Sequence, residues 1–240
     1  MAKFVLVHGA WHGAWCWERL TPILQAAGHE VIIPDLPGMG ADAATLAKMS
    51  LADWTNAVLD AIRQSFGPAI LVGHSGGGVP ISAAAEAAPE LVSRLIYLTA
   101  IVLADGQSGL DAVGPGGLPL KIEIDPGQRS CSLAEPDIAR RFYADCSDAD
   151  IIFARARLRT EPLFALMTPV RLTDNYARIS RDYIECMQDQ AISIEMQRRM
   201  QAVWPMQRVK ALDTSHSPFF SAPEALAAVL TELAVGPAGI

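Results

Sequence analysis

Gly73-His74-Ser75-Gly76-Gly77 matches Gly-x-Ser-x-Gly, a pattern able to present a serine hydroxyl as a nucleophile toward a carbonyl carbon. The letters alone are only suggestive, and their setting adds more. The motif directly follows an apolar run, Ile70-Leu71-Val72, and precedes a small-residue segment of helical character ending before Pro89. A strand-turn-helix of this kind holds the serine at positive φ at the carboxyl edge of a sheet, and flanking glycines let the backbone pass without Cβ clashes. Gly76 would then offer its N–H, at a helix N-terminus, to a developing oxyanion. The plain alternative is a Gly-rich turn that only packs a helix.

A serine hydroxyl needs a base that removes its proton during attack. Of five histidines, His216 is the best placed, in the loop Asp213-Thr214-Ser215-His216-Ser217-Pro218 between the last strand-like and the last helical segments. His8, His12, His29 and His74 read as structural. The base needs a carboxylate that orients the imidazole and stabilises its cation. Asp189 follows the strand-like Tyr183 to Cys186 and preserves the chain order Ser, Asp, His. Asp105 is the main rival, Asp213 is close to His216 along the chain, and Asp182 lies at the wrong end of its strand. After the first apolar run, His8-Gly9-Ala10-Trp11-His12-Gly13-Ala14-Trp15 forms a Gly-rich turn that could aim the Ala10 N–H at the same point as that of Gly76.

These residues must be carried by a scaffold. Phe4 to Val7, Val31 to Ile33, Ile70 to Val72 and Leu95 to Leu98 are too short for helices and too continuously apolar for half-exposed strands, which suits a parallel sheet covered on both faces. Between them, Leu51, Trp54, Val58 and Ile62 form one apolar stripe behind a capping box of Ser50 and Asp53. Repeated strand-helix-strand units imply an α/β fold. Roughly 80 residues separate the strand ending near Ala100 from Tyr183, far beyond the usual connection, so an inserted helical cap over about 101–180 is expected. Asp105 to Gly127 reads as irregular; Pro136, Ser147 with Asp150, and Leu163 with Leu166 and Met167 mark helices. Sheet-like segments resume at Tyr183 and Val209, and Ser221 with Glu224 resembles a capping box for a final helix.

The 240 residues are expected to form one domain, with 51% hydrophobic and 19% charged residues, which excludes disorder and collagen-like repeats. The net charge of −7 and the absence of a basic block disfavour nucleic acid as a partner. No apolar run approaches the roughly 20 residues of a membrane span and no cleavable leader is recognisable, so no membrane association and a cytoplasmic location are expected. Cys16, Cys131, Cys146 and Cys186 show neither Cys-x-x-Cys spacing nor a disulfide pattern and read as free thiols. A homodimer stands as one option for the assembly.

Phe4-Val5-Leu6-Val7-His8-Gly9-Ala10, Gly73 to Gly77, Tyr183-Ile184 with Asp189, Gln197-Arg198 and His216 together resemble the α/β-hydrolase family of plant methylesterases of the salicylate-binding type, hydroxynitrile lyases and related bacterial esterases. The resemblance runs from residue 3 to about 230 and is weakest across 105–135. It implies a mostly parallel six-stranded sheet with a small helical cap. It also implies a triad of Ser75, Asp189 and His216, oxyanion donors at Ala10 and Gly76, and no cofactor or metal. The lyases of that family typically carry a lysine after the catalytic histidine, a threonine in the first oxyanion loop and a glutamate before the nucleophile. This chain has Ser217, Gly9 and His74 there. Without a cation beside His216, hydrolysis of a small apolar or aromatic carboxylic ester is favoured, with small Gly9 and Ser217 expected to leave room for a tetrahedral intermediate. Lyase, lactone or C–C bond cleavage on the same triad and a non-catalytic receptor are the alternatives. Trp11, Phe153, Leu158, Leu163, Phe164, Leu166, Met167, Ser217 and Phe219 are the expected pocket lining.

Overall fold

The structure is a computed structural model and describes residues 1–114, 119–127 and 129–235. Among these, nine strands form two sheets: β1 Lys3–Val7, β2 Glu30–Ile32, β3 Ala69–His74, β4 Val92–Leu98, β5 Ile122–Ile124, β6 Ser130–Leu133, β7 Glu161–Pro162, β8 Arg181–Cys186 and β9 Arg208–Leu212. The main sheet has the order β2-β1-β3-β4-β8-β9 with every pairing parallel. Strand pleating sends alternate side chains to opposite faces. Val5 and Val7 of β1, with Leu71 and Tyr97, pack under the helices Leu51–Arg63 and Gly78–Ala87. Phe4 and Leu6, with Ile70, Val72 and Ile184, pack under Leu20–Ala26 and Pro223–Ala234. Both faces are therefore apolar, as the continuous runs predict.

The chain leaves β1 toward one edge of the sheet and leaves β3 toward the other. The order thus reverses between these neighbours, and the loops after their carboxyl ends part to leave a crevice. The Ala10 loop and the Ser75 turn are those two loops. Ser50 and Asp53 do form a capping box, and Leu51, Trp54, Val58 and Ile62 are buried along one helix face. The final helix begins differently from expectation. Ala222 occupies its N-cap with Pro223 in the first turn, and Ser221 Oγ is buried without a partner, so Ser221 and Glu224 make no capping box. Proline already fixes φ for a first helical residue and supplies no N–H to be capped, which sets that start without a side-chain acceptor.

Helices occur in the insertion where the sequence marks them: Pro136 lies in the short helix Glu135–Asp137, Asp148–Arg155 follows the Ser147 cap, and Leu163–Met167 forms without a side-chain cap. Beside them lies a three-stranded antiparallel sheet, β5-β6-β7, which the sequence reading did not anticipate. Strands of three, four and two residues are too short to show a period. The stretch read as irregular also holds the helix Gly109–Val113, capped by Ser108 with Asp111; its positions 115–118 lie outside the described residues. The two ends of the insertion are stitched together by Gly106 N–H to the Val170 carbonyl and Val170 N–H to the Gln107 carbonyl, both 2.9 Å. Among the described residues no helix is long and apolar enough to cross a membrane.

Candidate active site

Ser75 sits at φ 52°, in the left-handed region that non-glycine residues seldom adopt. Such a conformation costs on the order of 1–3 kcal/mol and persists only where its surroundings impose it. Here they do. A Cβ on Gly73 would lie 2.7 Å from the Gly77 carbonyl oxygen, and one on Gly77 would lie 2.6 Å from that of His8, so the turn closes only with glycine on both sides. The Ser75 carbonyl is fixed by the Ile101 N–H at 3.0 Å. The helix Gly78–Ala87 follows at once, so the amides near Gly76 lie at a helix N-terminus.

The strands β8 and β9 continue past their ends as a loop pair. Met187 N–H bonds the Leu212 carbonyl and Gln188 N–H bonds the Thr214 carbonyl, both at 2.9 Å, which brings the Asp189 and His216 loops side by side. Asp189 Oδ2 stands 2.7 Å from His216 Nδ1, with both side chains fully buried. A carboxylate only accepts, so in the neutral imidazole Nδ1 carries the proton and Nε2 keeps its lone pair. The same carboxylate accepts from Thr99 Oγ1 at 2.5 Å and, through Oδ1, from the Ala191 and Ile192 amides at 2.7 and 2.9 Å. His216 Nε2 makes no hydrogen bond among the described residues, and His216 and Ser75 line one cavity. A serine–histidine contact of this type commonly closes only with substrate in place.

The other acids point elsewhere. Asp105 accepts from the Leu172 N–H and anchors the insertion, Asp213 meets the Gln188 side chain at the surface, and Asp182 is paired with Arg94 and Arg208 at the far end of the sheet. The remaining histidines are structural partners. His74 Nε2 lies 2.9 Å from the His216 carbonyl, which only accepts, so its proton is on that nitrogen and it steadies the His216 loop. Burial, reinforced by His216 nearby, pushes the His74 pKa well below its ordinary value.

In the loop after β1, a Cβ on Gly9 would lie 2.8 Å from both His74 Nδ1 and Ser75 Cβ, so glycine is required for the loop to pass the serine. This corrects the expectation that Gly9 leaves open space: the space is filled by His74 and Ser75. A Cβ on Gly76 would lie 3.3 Å from the Ala10 nitrogen, so the two candidate donor loops touch. No hydrogen bond among the described residues engages the Ala10 N–H. The Ala10 carbonyl accepts from His12 Nδ1 at 2.7 Å, and Tyr143 donates to His12 Nε2 at 2.7 Å. Burial pulls the His12 pKa down to about 3, so the ring is neutral and holds this pattern at working pH.

Ser75, Gly76, His216, Ala10 and Trp11 line one cavity of about 150 Å³, walled almost wholly by apolar atoms. Leu166 also reaches it. Phe153, Leu158, Leu163, Phe164, Met167, Ser217 and Phe219 do not. Phe153 packs on Trp15 and Phe220 with the Arg157 guanidinium 3.6 Å above its ring; Leu158 and Leu163 join the core on that side of the sheet. Phe164 meets Trp54, Met167 is exposed, and Phe219 packs between Trp17 and His74. Ser217 is wholly buried behind His216 and contributes no wall. The walls that sequence reasoning missed include Phe142, whose ring meets that of His216 edge-on at 4.8 Å, and Ile101, Leu110, Val113, Ile122 and Ile192.

Comparison with known proteins identifies the family to which the fold belongs. Residues 4–229 match the model of the alpha/beta hydrolase family. The chain is 33% identical to a pyrethroid hydrolase of Sphingobium wenxiniae, over 99% of this chain and 89% of that protein. It is 31% identical to methyl jasmonate esterase 1 of Vitis vinifera, over 96% and 95%. The crystal structure of a pyrethroid hydrolase from Sphingobium faniae superposes with a TM-score of 0.89 at 31% identity, covering 98% of each chain. The chain belongs to the alpha/beta hydrolase family. Within that family it is a carboxylesterase-type hydrolase.

Proposed function

We propose that this enzyme hydrolyses small, uncharged, apolar or aromatic carboxylic esters through an acyl-enzyme on Ser75. The observation that carries the reading is convergence: a serine in a strained turn, a histidine whose Nδ1 is committed to a buried carboxylate and two adjoining amide-bearing loops share one apolar cavity. In this reading His216 Nε2 takes the Ser75 proton as Oγ attacks the carbonyl carbon. The Ala10 and Gly76 amides stabilise the oxyanion. Collapse breaks the ester C–O bond, and His216 gives its proton to the departing alkoxide. Water then loses a proton to His216, attacks the acyl carbon and releases the acid, returning the proton to Ser75.

The walls favour neutral substrates, because among the described residues no lysine, arginine or carboxylate lines the cavity. A volume of about 150 Å³ suits a compact group, and Leu110, which is 46% exposed while lining it, marks where a longer substrate would emerge. The relatives are named for methyl jasmonate and for pyrethroids, which agrees with esters of apolar character. Cyanohydrin cleavage would need a cation for the departing cyanide, and among the described residues none lies on these walls.

A panel of p-nitrophenyl and aryl methyl esters of graded acyl length, run beside mandelonitrile, tests the reading. Hydrolysis of the short and aromatic esters with cyanide release at background is expected. Cyanide release faster than hydrolysis of any ester would replace esterase with lyase, and silence on every substrate would favour a receptor.

A further inference from the structure

Trp11 lies at φ 62°, directly after Ala10, and three contacts from the insertion hold it there. Its amide N–H donates to Glu161 Oε2 at 3.0 Å. Its indole N–H donates to the Cys131 carbonyl at 3.1 Å, and its own carbonyl accepts from the Arg159 N–H at 3.0 Å. Cys131 and Glu161 stand opposite each other in the β6–β7 pair, so a single rung of the small sheet grips both backbone and side chain.

The peptide between Ala10 and Trp11 is therefore clamped at both ends. Its oxygen accepts from His12 Nδ1 at 2.7 Å and its N–H donates to Glu161. Because a peptide unit is planar, fixing both groups fixes its orientation, and with it the ψ of Ala10 and the φ of Trp11. The Ala10 N–H is the next group along the chain. Glu161 itself is 1% exposed and meets no cation among the described residues. A buried acid without a counter-ion destabilises a fold relative to an apolar side chain of similar volume, unless its oxygen satisfies a donor that would otherwise be stranded.

We propose that Glu161 is a positioning residue for the oxyanion hole: by accepting from the Trp11 amide it fixes the peptide that aims the Ala10 N–H, so the small sheet of the insertion sets the geometry of a site built on the main sheet. The inference rests on the reading of Ala10 as an oxyanion donor. Without the acceptor, the Trp11 N–H would be buried unpaired, and Trp11 would relax from the left-handed region and turn the peptide. The donor would then miss the oxygen only when it becomes an oxyanion. The apolar walls outside this loop, such as Ile101, Leu110, Val113 and Leu166, would be unchanged.

The test compares Glu161→Met, which keeps the volume and removes the acceptor, with Glu161→Gln, which keeps an acceptor oxygen; Glu161→Ala takes the place of the methionine variant if that one does not fold. Each is assayed on p-nitrophenyl butyrate, titrated with a fluorophosphonate and measured for inhibition by an aryl trifluoromethyl ketone, which forms a tetrahedral adduct. Glu161→Met should lower kcat by about ten- to a hundredfold with KM within about threefold, and weaken the ketone by a similar factor to kcat. Glu161→Gln should recover most of both. If wild type labels on Ser75 and turns over, and Glu161→Met stays within about twofold in kcat or both variants lose equally, the positioning role is overturned. If wild type neither labels on Ser75 nor hydrolyses ester, the hydrolase reading itself fails and takes this inference with it.

Discussion

Thr99, at φ 39° immediately after β4, donates its hydroxyl to Asp189 Oδ2 at 2.5 Å, the same oxygen that receives His216 Nδ1. A β-branched residue at positive φ is an outlier, held here by its N–H to the Ile184 carbonyl at 2.9 Å. The carboxylate thus has its orientation fixed before the imidazole reaches it. Thr99→Val, which keeps shape and branching, should lower kcat about tenfold by removing a charge-assisted bond, while Thr99→Ser keeps most activity. Steady-state kinetics on one p-nitrophenyl ester checks this, and a valine variant at wild-type kcat contradicts it.

The identity of the acid separates cleanly. Asp189→Asn should cost about three to four orders of magnitude in kcat, since the amide no longer selects the tautomer with a free Nε2. Asp105→Asn should leave kcat near wild type, because among the described residues Asp105 holds the Leu172 amide in the insertion. Loss of activity in the Asp105 variant alone would reverse the assignment.

Leu166 is the one side chain of its helix that reaches the cavity. Leu166→Trp should raise KM for a hexanoate ester by about tenfold and leave acetate turnover nearly unchanged, as expected for the loss of room that only the longer chain needs. Equal effects on both esters would place the acyl group elsewhere.

Glu161 also governs a dependence of stability on pH. Burial pushes its carboxyl up to about 8, against about 4.3 in an unfolded chain. The folded state therefore keeps a proton that the unfolded state releases, so the contribution of this group is full below about pH 4 and is lost as pH rises through about 8. Glu161→Gln has no such proton to lose. Its Tm relative to wild type should climb steadily from pH 5 to pH 8 and then level; a gap that does not change with pH would show that the carboxyl titrates normally.

Local features were legible in the sequence. The Ser75 turn is announced by a motif whose residues lie within four positions of one another, and the strands announce themselves through apolar runs buried on both faces. Asp189 and His216 were reachable because each follows a recognisable strand, which fixes the edge at which they emerge. What escaped depends on contacts across the chain. Glu161 meets Trp11 over 150 positions and Thr99 meets Asp189 over 90, and no spacing encodes such encounters. The pocket walls failed for a related reason. Phe153, Phe164 and Phe219 have the right chemistry for a pocket, but aromatic side chains serve core and cavity equally, and only packing decides which.

The central claim is that Ser75 is the nucleophile of an ester-hydrolysing site, and covalent capture tests it most directly. Enzyme treated with a fluorophosphonate and examined by peptide mass spectrometry should carry a single adduct, on Ser75, at a rate slowed by competing ester. Ser75→Ala should fold normally, take up no label and lose several orders of magnitude in kcat. An adduct on another residue, or ester hydrolysis at wild-type rate in the alanine variant, would contradict the account.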